Sequence, residues 1–229
     1  MRARRLNSPA SALLALLALA LTPMAASSQL GGSLAFESDY RFRGVSLSNE
    51  RPDLRLTLAY DHASGAYLGT SVTRVEFRPD QPGLALQAYA GYAGEIVPAW
   101  RWEAGAIKTH LSKGSYYDYA EAYLGLLAER GSLRLYLAPD YFGTDARTAY
   151  LEFGWGWPLT PELRLFVQGG ALHKFGASGN RLDARLGAAW QTGELDWQLA
   201  WSVAQRRAPF GVPSSQRSSL LWLGTRWSF

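Results

Sequence analysis

The sequence predicts an all-β chain, a transmembrane up-and-down antiparallel β-barrel of about twelve strands, with about ten as the lower count. Three observations predict it. Segments of about ten residues alternate between polar and apolar side chains at every second position, as strands with two unlike faces must. The connections between these segments alternate between short and long. Eight of the nine tryptophans fall on the apolar parity, and seven of those cluster beside the short turns.

The chain begins with a secretory signal peptide, residues 1–27. Arg2, Arg4 and Arg5 give a basic start, 11–21 is almost wholly Ala and Leu, and Pro23 precedes small residues. That apolar run is well short of the ~20 residues a membrane-spanning helix needs. Residues 28–229 then form one barrel domain. Three signal arginines account for most of the formal charge: +4 for the whole chain becomes +1 for the remainder (20 less 19). Nucleic-acid binding therefore loses its electrostatic basis. Cysteine is absent, which removes disulfides and thiolate chemistry. The three histidines are scattered and no loop has calcium-binding spacing, so no metal or other cofactor is expected.

Taken in order, the first strand sets Leu34, Phe36, Tyr40 and Phe42 outward against Glu37, Asp39, Arg41 and Arg43. The second sets Leu54, Leu56, Leu58 and Tyr60 against Arg55, Thr57, Ala59 and Asp61. Segments 66–75 and 84–92 carry the weakest pattern. The fifth strand places Trp100 and Trp102 outward, Arg101 and Glu103 inward, and ends near His110. The sixth starts near Asp118 and turns Glu121 inward, and the seventh does the same with Arg134. In the eighth, Leu151, Phe153, Trp155 and Trp157 oppose Glu152; in the ninth, Arg164 and Gln168 face inward. The tenth and eleventh oppose Leu182, Leu186, Trp190, Trp197, Leu199 and Trp201 to Arg181, Asp183, Arg185, Asp196 and Gln198. The twelfth ends the chain with Leu221, Leu223, Thr225, Trp227 and Phe229 on one face, leaving Leu220, Trp222 and Arg226 inside.

Alternation alone would also suit a soluble sandwich with one packed face. Short turns at 62–65, 94–99, 129–132, 158–162 and 192–193, against long polar loops at 44–52, 76–82, 111–116, 140–147, 174–180 and 205–217, favour the barrel. So does the sorting of aromatics by end, because indoles prefer the headgroup level of a bilayer. Tyr60, Tyr92, Trp100, Trp102, Trp155, Trp157, Trp190, Trp197, Trp227 and Phe229 are expected to form a membrane-interface belt at the short-turn, periplasmic end. Tyr40, Phe42, Tyr117, Tyr141 and Phe142 are expected near the opposite rim. The aromatic terminus resembles the signal read by the outer-membrane barrel assembly machinery. The expected surroundings are a lipid bilayer with lipopolysaccharide, in the outer membrane of a Gram-negative bacterium, with the chain a monomer.

The segment Ser38-Asp39-Tyr40-Arg41-Phe42-Arg43-Gly44-Val45-Ser46-Leu47-Ser48, followed by Tyr60-Asp61-His62-Ala63-Ser64-Gly65-Ala66-Tyr67-Leu68-Gly69, resembles the N-terminal hallmark of the TorF family of porin-like outer-membrane proteins, a Gcw-type group. The match covers about residues 31–70 and implies an outer-membrane porin-like barrel without naming a solute. The chain departs from the family at Leu47, where the family carries Gln, and at Asp53-Leu54-Arg55 after the loop proline. Thr70-Ser71-Val72-Thr73-Arg74-Val75 also replaces a Trp/Ser-Asn-Val-Asp stretch.

Inside the barrel, the expected pore lining is Glu37, Asp39, Arg41, Arg43, Arg55, Arg101, Glu103, Glu121, Arg134, Glu152, Arg164, Arg185 and Arg226. Charges this dense must be hydrated or paired. Twelve strands lie between a filled eight-strand barrel and an open porin of 16–18. The expectation is a narrow channel for passive diffusion of small polar solutes, with Asp39, Arg41 and Arg43 at its constriction on strand one. The alternatives are a non-conducting structural or adhesion barrel, and an outer-membrane lipid acyl hydrolase. The hydrolase would use His110 and Ser112, with Asp118 opposite to orient the base.

Overall fold

The last strand closes on the first. In the computed structural model, which describes residues 28–76, 81–176, 179–205 and 217–229, twelve antiparallel strands form a closed barrel. They are β1 (Gln29–Glu37), β4 (Asp53–Asp61), β5 (Ala66–Val75), β6 (Gly83–Val97), β7 (Trp100–Leu111), β8 (Tyr119–Ala128), β9 (Gly131–Ala138), β10 (Thr148–Pro158), β11 (Leu163–Lys174), β12 (Arg181–Thr192), β13 (Leu195–Ala204) and β14 (Ser219–Ser228). Between β1 and β4, two short strands, β2 (Arg41–Phe42) and β3 (Val45–Ser46), pair only with each other. The expected signal peptide and the interior of the 205–217 loop lie outside the described residues.

The seam runs from Ser33↔Ser228 to Glu37↔Gly224. Gly32 and Phe229 extend it by exchanging backbone hydrogen bonds of 2.9 and 3.0 Å. The Phe229 ring lies over Gly32, where any Cβ would overlap it. Residues 66–75 and 83–97, weak in pattern, pair fully with their neighbours.

Facing follows sequence parity. Leu58, Leu186, Trp201 and Leu221 point outward and are strongly exposed, as a lipid-facing wall requires. The packed apolar cluster lies inside the barrel, at the long-loop end. It joins Tyr40, Phe42, Val45 and Leu47 to side chains such as Leu111, Tyr119, Tyr136, Tyr141 and Tyr150. Inward tyrosines lie flat against the wall because the adjacent strand offers glycine beneath them: Gly69 under Tyr89, Gly105 under Tyr123 and Gly170 under Tyr150.

Two expectations are corrected here. Strand one stops at Glu37, so Asp39, Arg41 and Arg43 are not on a barrel strand. Residues 38–52 instead turn into the lumen, with Arg43 and Gly44 at positive φ closing the β2–β3 turn. The alternation of Tyr40 and Phe42 with charges is real, but it belongs to this inserted hairpin, both faces of which meet protein. For the same reason Tyr40, Phe42, Tyr141 and Phe142 are buried inside rather than forming a second aromatic belt, and Tyr117 packs partly against them.

Candidate functional site in the barrel lumen

The inserted segment is organised around Asp39. Its carboxylate accepts hydrogen bonds from Arg41 Nε at 2.7 Å and Ser46 Oγ at 2.5 Å. Ser48 Oγ accepts from the Tyr40 amide at 2.9 Å, and the Leu47 amide donates to the Tyr40 carbonyl at 2.8 Å. The hairpin therefore has a scaffold of its own. Several contacts dock it: Trp222 Nε1 donates to the Asp39 carbonyl at 2.9 Å, the Glu76 amide donates to the Leu47 carbonyl at 2.6 Å, and Arg43 reaches Glu121 on β8, while Asn49 Nδ2 donates to the Glu76 carboxylate at 3.1 Å and Arg41 Nη2 to the Arg217 carbonyl at 2.8 Å.

The Arg43 contact is bidentate, Nη1–Oε1 2.8 Å and Nη2–Oε2 2.9 Å, with side-chain exposures of 3% and 2%. Four rings surround the guanidinium, with centroids at 4.3 Å (Tyr150), 4.7 Å (Phe42), 5.0 Å (Tyr136) and 5.3 Å (Tyr141). Delocalised cations are favoured over such ring faces. Burial alone would lower the Arg43 pKa, but the Glu121 carboxylate, with Tyr141 and Tyr119, outweighs it and holds the group charged.

Around the hairpin the predicted lining sorts into pairs. Glu37 holds Arg55, Glu103 holds Arg134, and Arg164 reaches Asp196 at 2.7 Å. Arg185 stacks on Trp222 at 4.2 Å. Arg101, Glu152 and Arg226 face inward with no ion pair among the described residues. A cavity of about 60 Å³, room for a few waters, lies between hairpin and wall, lined by Arg41, Arg43, Glu152, Gln168, Asp183 and Arg185 among others.

Burial differs between the two ends. Toward the long loops Glu37, Arg55, Thr73, Thr109, Glu121 and Arg181 are buried. Toward the short turns Asp61, Arg101, Arg164, Gln198 and Arg226 are partly exposed. The lumen is filled on the long-loop side and forms a partly exposed vestibule on the short-turn side, where Glu103, Ser132 and Asp196 are nonetheless buried. Sequence reasoning missed the inward tyrosines 67, 89, 119, 123, 136 and 150, although their parity with Glu121, Arg134 and Glu152 marked them. Tyr67 and Tyr123 meet hydroxyl to hydroxyl at 2.5 Å.

The expected belt residues lie outward at the short-turn end. There Trp227 Nε1 donates to Glu194 at 2.8 Å, Trp197 Nε1 donates to Thr192 Oγ1 at 3.1 Å, and Tyr92 packs on Trp102 at 5.9 Å. Tyr60, Trp100, Trp155, Trp157, Trp190 and Phe229 share that end. On the outer rim His110 Nδ1 lies 2.6 Å from Asp118 Oδ2. Ser112 Oγ instead accepts the Leu84 amide at 2.8 Å and makes no hydrogen bond to His110. A base and its orienting carboxylate are present, without the nucleophile contact that would complete them.

The profile of Gcw_chp, bacterial proteins of unknown function, matches residues 22–205. The chain belongs to this family. No curated protein matches it. Among solved structures it is similar to the KdgM porin, with TM-score 0.56 and 13% identity over 87% of this chain and 99% of that one. The NanC porin gives 0.55 and 9%, covering 87% and 98%. An outer-membrane channel from Pseudomonas putida F1 gives 0.50 and 14%, covering 93% and 97%. The Gcw_chp chain thus shares the closed twelve-strand barrel of outer-membrane porins and channels.

Proposed function

We propose that this Gcw_chp protein, of the TorF porin type, is an outer-membrane channel for small polar solutes, described here in its closed state. Segment 38–52 is the plug. One observation carries this reading: the strands of the plug pair only with each other and not with the barrel, while the other half of the lumen keeps charged, partly exposed walls. A purely structural barrel has no use for a charged, partly exposed half-lumen ending at a hydrogen-bonded hairpin. The short-turn end faces the periplasm, after signal-peptide removal and assembly through the C-terminal strand, and the protein works as a monomer. Flow is passive diffusion past Arg101, Arg164 and Arg226 once the plug leaves Glu121.

Planar-bilayer recording of the full chain beside a variant lacking residues 39–51 tests it. Discrete conductance steps that are rare in the first and frequent in the second are expected. Silence in both, with each shown to be folded, would return the protein to a structural role.

A further inference from the structure

The wall groups that hold Arg43 do not depend on the plug for their placement. Glu121 lies on β8, Tyr136 on β9 and Tyr150 on β10, with Tyr136 and Tyr150 directly opposite in register. Glu152, on the same inward face of β10, lines the adjoining cavity and has no ion pair among the described residues. Withdrawal of Arg43 would leave the Glu121 carboxylate and two ring faces turned toward one point in a shielded pocket, with Glu152 in the adjoining cavity. That donor set suits a flat, weakly hydrated cation, which accepts ring faces above and below and a bidentate carboxylate at its edge. An anion would meet the Glu121 carboxylate there. Arg43 displays the expected occupant.

We propose that the Glu121–Tyr136–Tyr150 pocket is a solute site for organic cations of the guanidinium class, occupied in cis by Arg43. Solute binding and plug release are then one exchange: the free cation takes the place of the tethered one. The proposal rests on the channel reading for its consequence, though not for the binding itself. A tethered group competes at an effective concentration of roughly millimolar, so a free guanidinium acts in the millimolar range.

The experiment uses methylguanidinium chloride, against equal KCl, on the refolded full chain. Arg43→Ala should gain thermal stability on millimolar additions, as the probe refills the vacated site with no tethered group competing, while Arg43→Ala/Glu121→Gln should not. Wild-type open time in bilayers should rise at least tenfold over the same range, and Glu121→Gln should lose that response. If Arg43→Ala does not fold, Arg43→Met, which keeps the apolar stem, takes its place. Equal stabilisation of single and double variants, no effect beyond KCl, or opening by an anionic oligosaccharide in place of methylguanidinium would overturn the proposal. Stabilisation without conductance in any variant would uphold the site and sink the channel. Conductance without stabilisation would do the reverse.

Discussion

Gly44 gives the sharpest test of the plug because it takes no part in the strand pairing of the barrel. It sits at φ +78, and a Cβ there would lie 2.6 Å from the Ala204 Cβ and 2.7 Å from the Asp183 Cβ. Gly44→Val therefore meets two costs in the docked state. Left-handed backbone costs an L-residue about 1–2 kcal/mol, and overpacking against fixed neighbours adds about 1–3 kcal/mol. The turn keeps its left-handed residue docked or free, so only the overpacking shifts docking: at 1.36 kcal/mol per tenfold, about 1–3 kcal/mol is roughly five- to 160-fold toward release. The undocked hairpin is spared the overpacking. Barrel pairing stays as it was, so the variant should still migrate as a folded barrel in unheated gels. Open probability in planar bilayers should rise by the stated factor, and trypsin should cut after Arg41 or Arg43 much faster than in wild type. A folded Gly44→Val protein that remains silent and resistant to trypsin would refute the docking geometry.

Other perturbations separate the plug from the wall. Trp222→Phe removes one hydrogen bond to the Asp39 carbonyl, worth about 0.5–1.5 kcal/mol, and single-channel recording should show a roughly two- to tenfold rise in open probability. Glu103→Gln leaves Arg134 without its carboxylate; a buried pair broken from one side costs about 3–5 kcal/mol. That loss should appear as a lower unfolding temperature, and Glu103→Gln/Arg134→Met should recover much of it. Ser112→Ala should match wild type in phospholipase and lipid A deacylase assays, both at background, because Ser112 is not bonded to His110. Wild-type activity lost in the variant would reopen the hydrolase reading.

The barrel was legible because its periodicity is enforced by two solvents. Leu58 and Leu186 stand on the exposed outer face while Arg55 and Arg185 are buried in the lumen, and a slip of one residue would exchange them. Tryptophan parity was legible for the same reason, down to Trp222 as the inward exception. The plug was not legible, because period-2 alternation records that two faces differ and not which surfaces they meet. Asp39, Arg41 and Arg43 alternate with Tyr40 and Phe42 as a wall strand would. What distinguishes them is Ser46 and Ser48 returning to the Asp39 end and a turn that needs Arg43 and Gly44 at positive φ. Those contacts lie between non-adjacent residues, which a strand pattern does not encode. The inward tyrosines were missed for a simpler cause: a tyrosine can face either lipid or lumen, and only the charges beside it in parity decide which.

The plug also follows from the strand number. Twelve strands spaced about 4.8 Å apart and tilted about 40° give a backbone radius of roughly 12 Å. Arginine or tyrosine side chains extend roughly 7 Å inward, so opposite walls fall short of each other by roughly 10 Å. Wall charges must then pair with strand neighbours, meet water, or meet inserted chain. All three occur at different heights: Glu103 with Arg134 on the wall, Arg101 and Arg226 in the partly exposed vestibule, and Glu121 with Arg43 from the hairpin. Only the third can be exchanged without dismantling the sheet. A change in Glu121 should therefore alter gating and leave barrel assembly intact, while a change in Glu103 should do the opposite. Equal effects of Glu103→Gln and Glu121→Gln on both refolding yield and open probability would show that hairpin and wall behave as one unit.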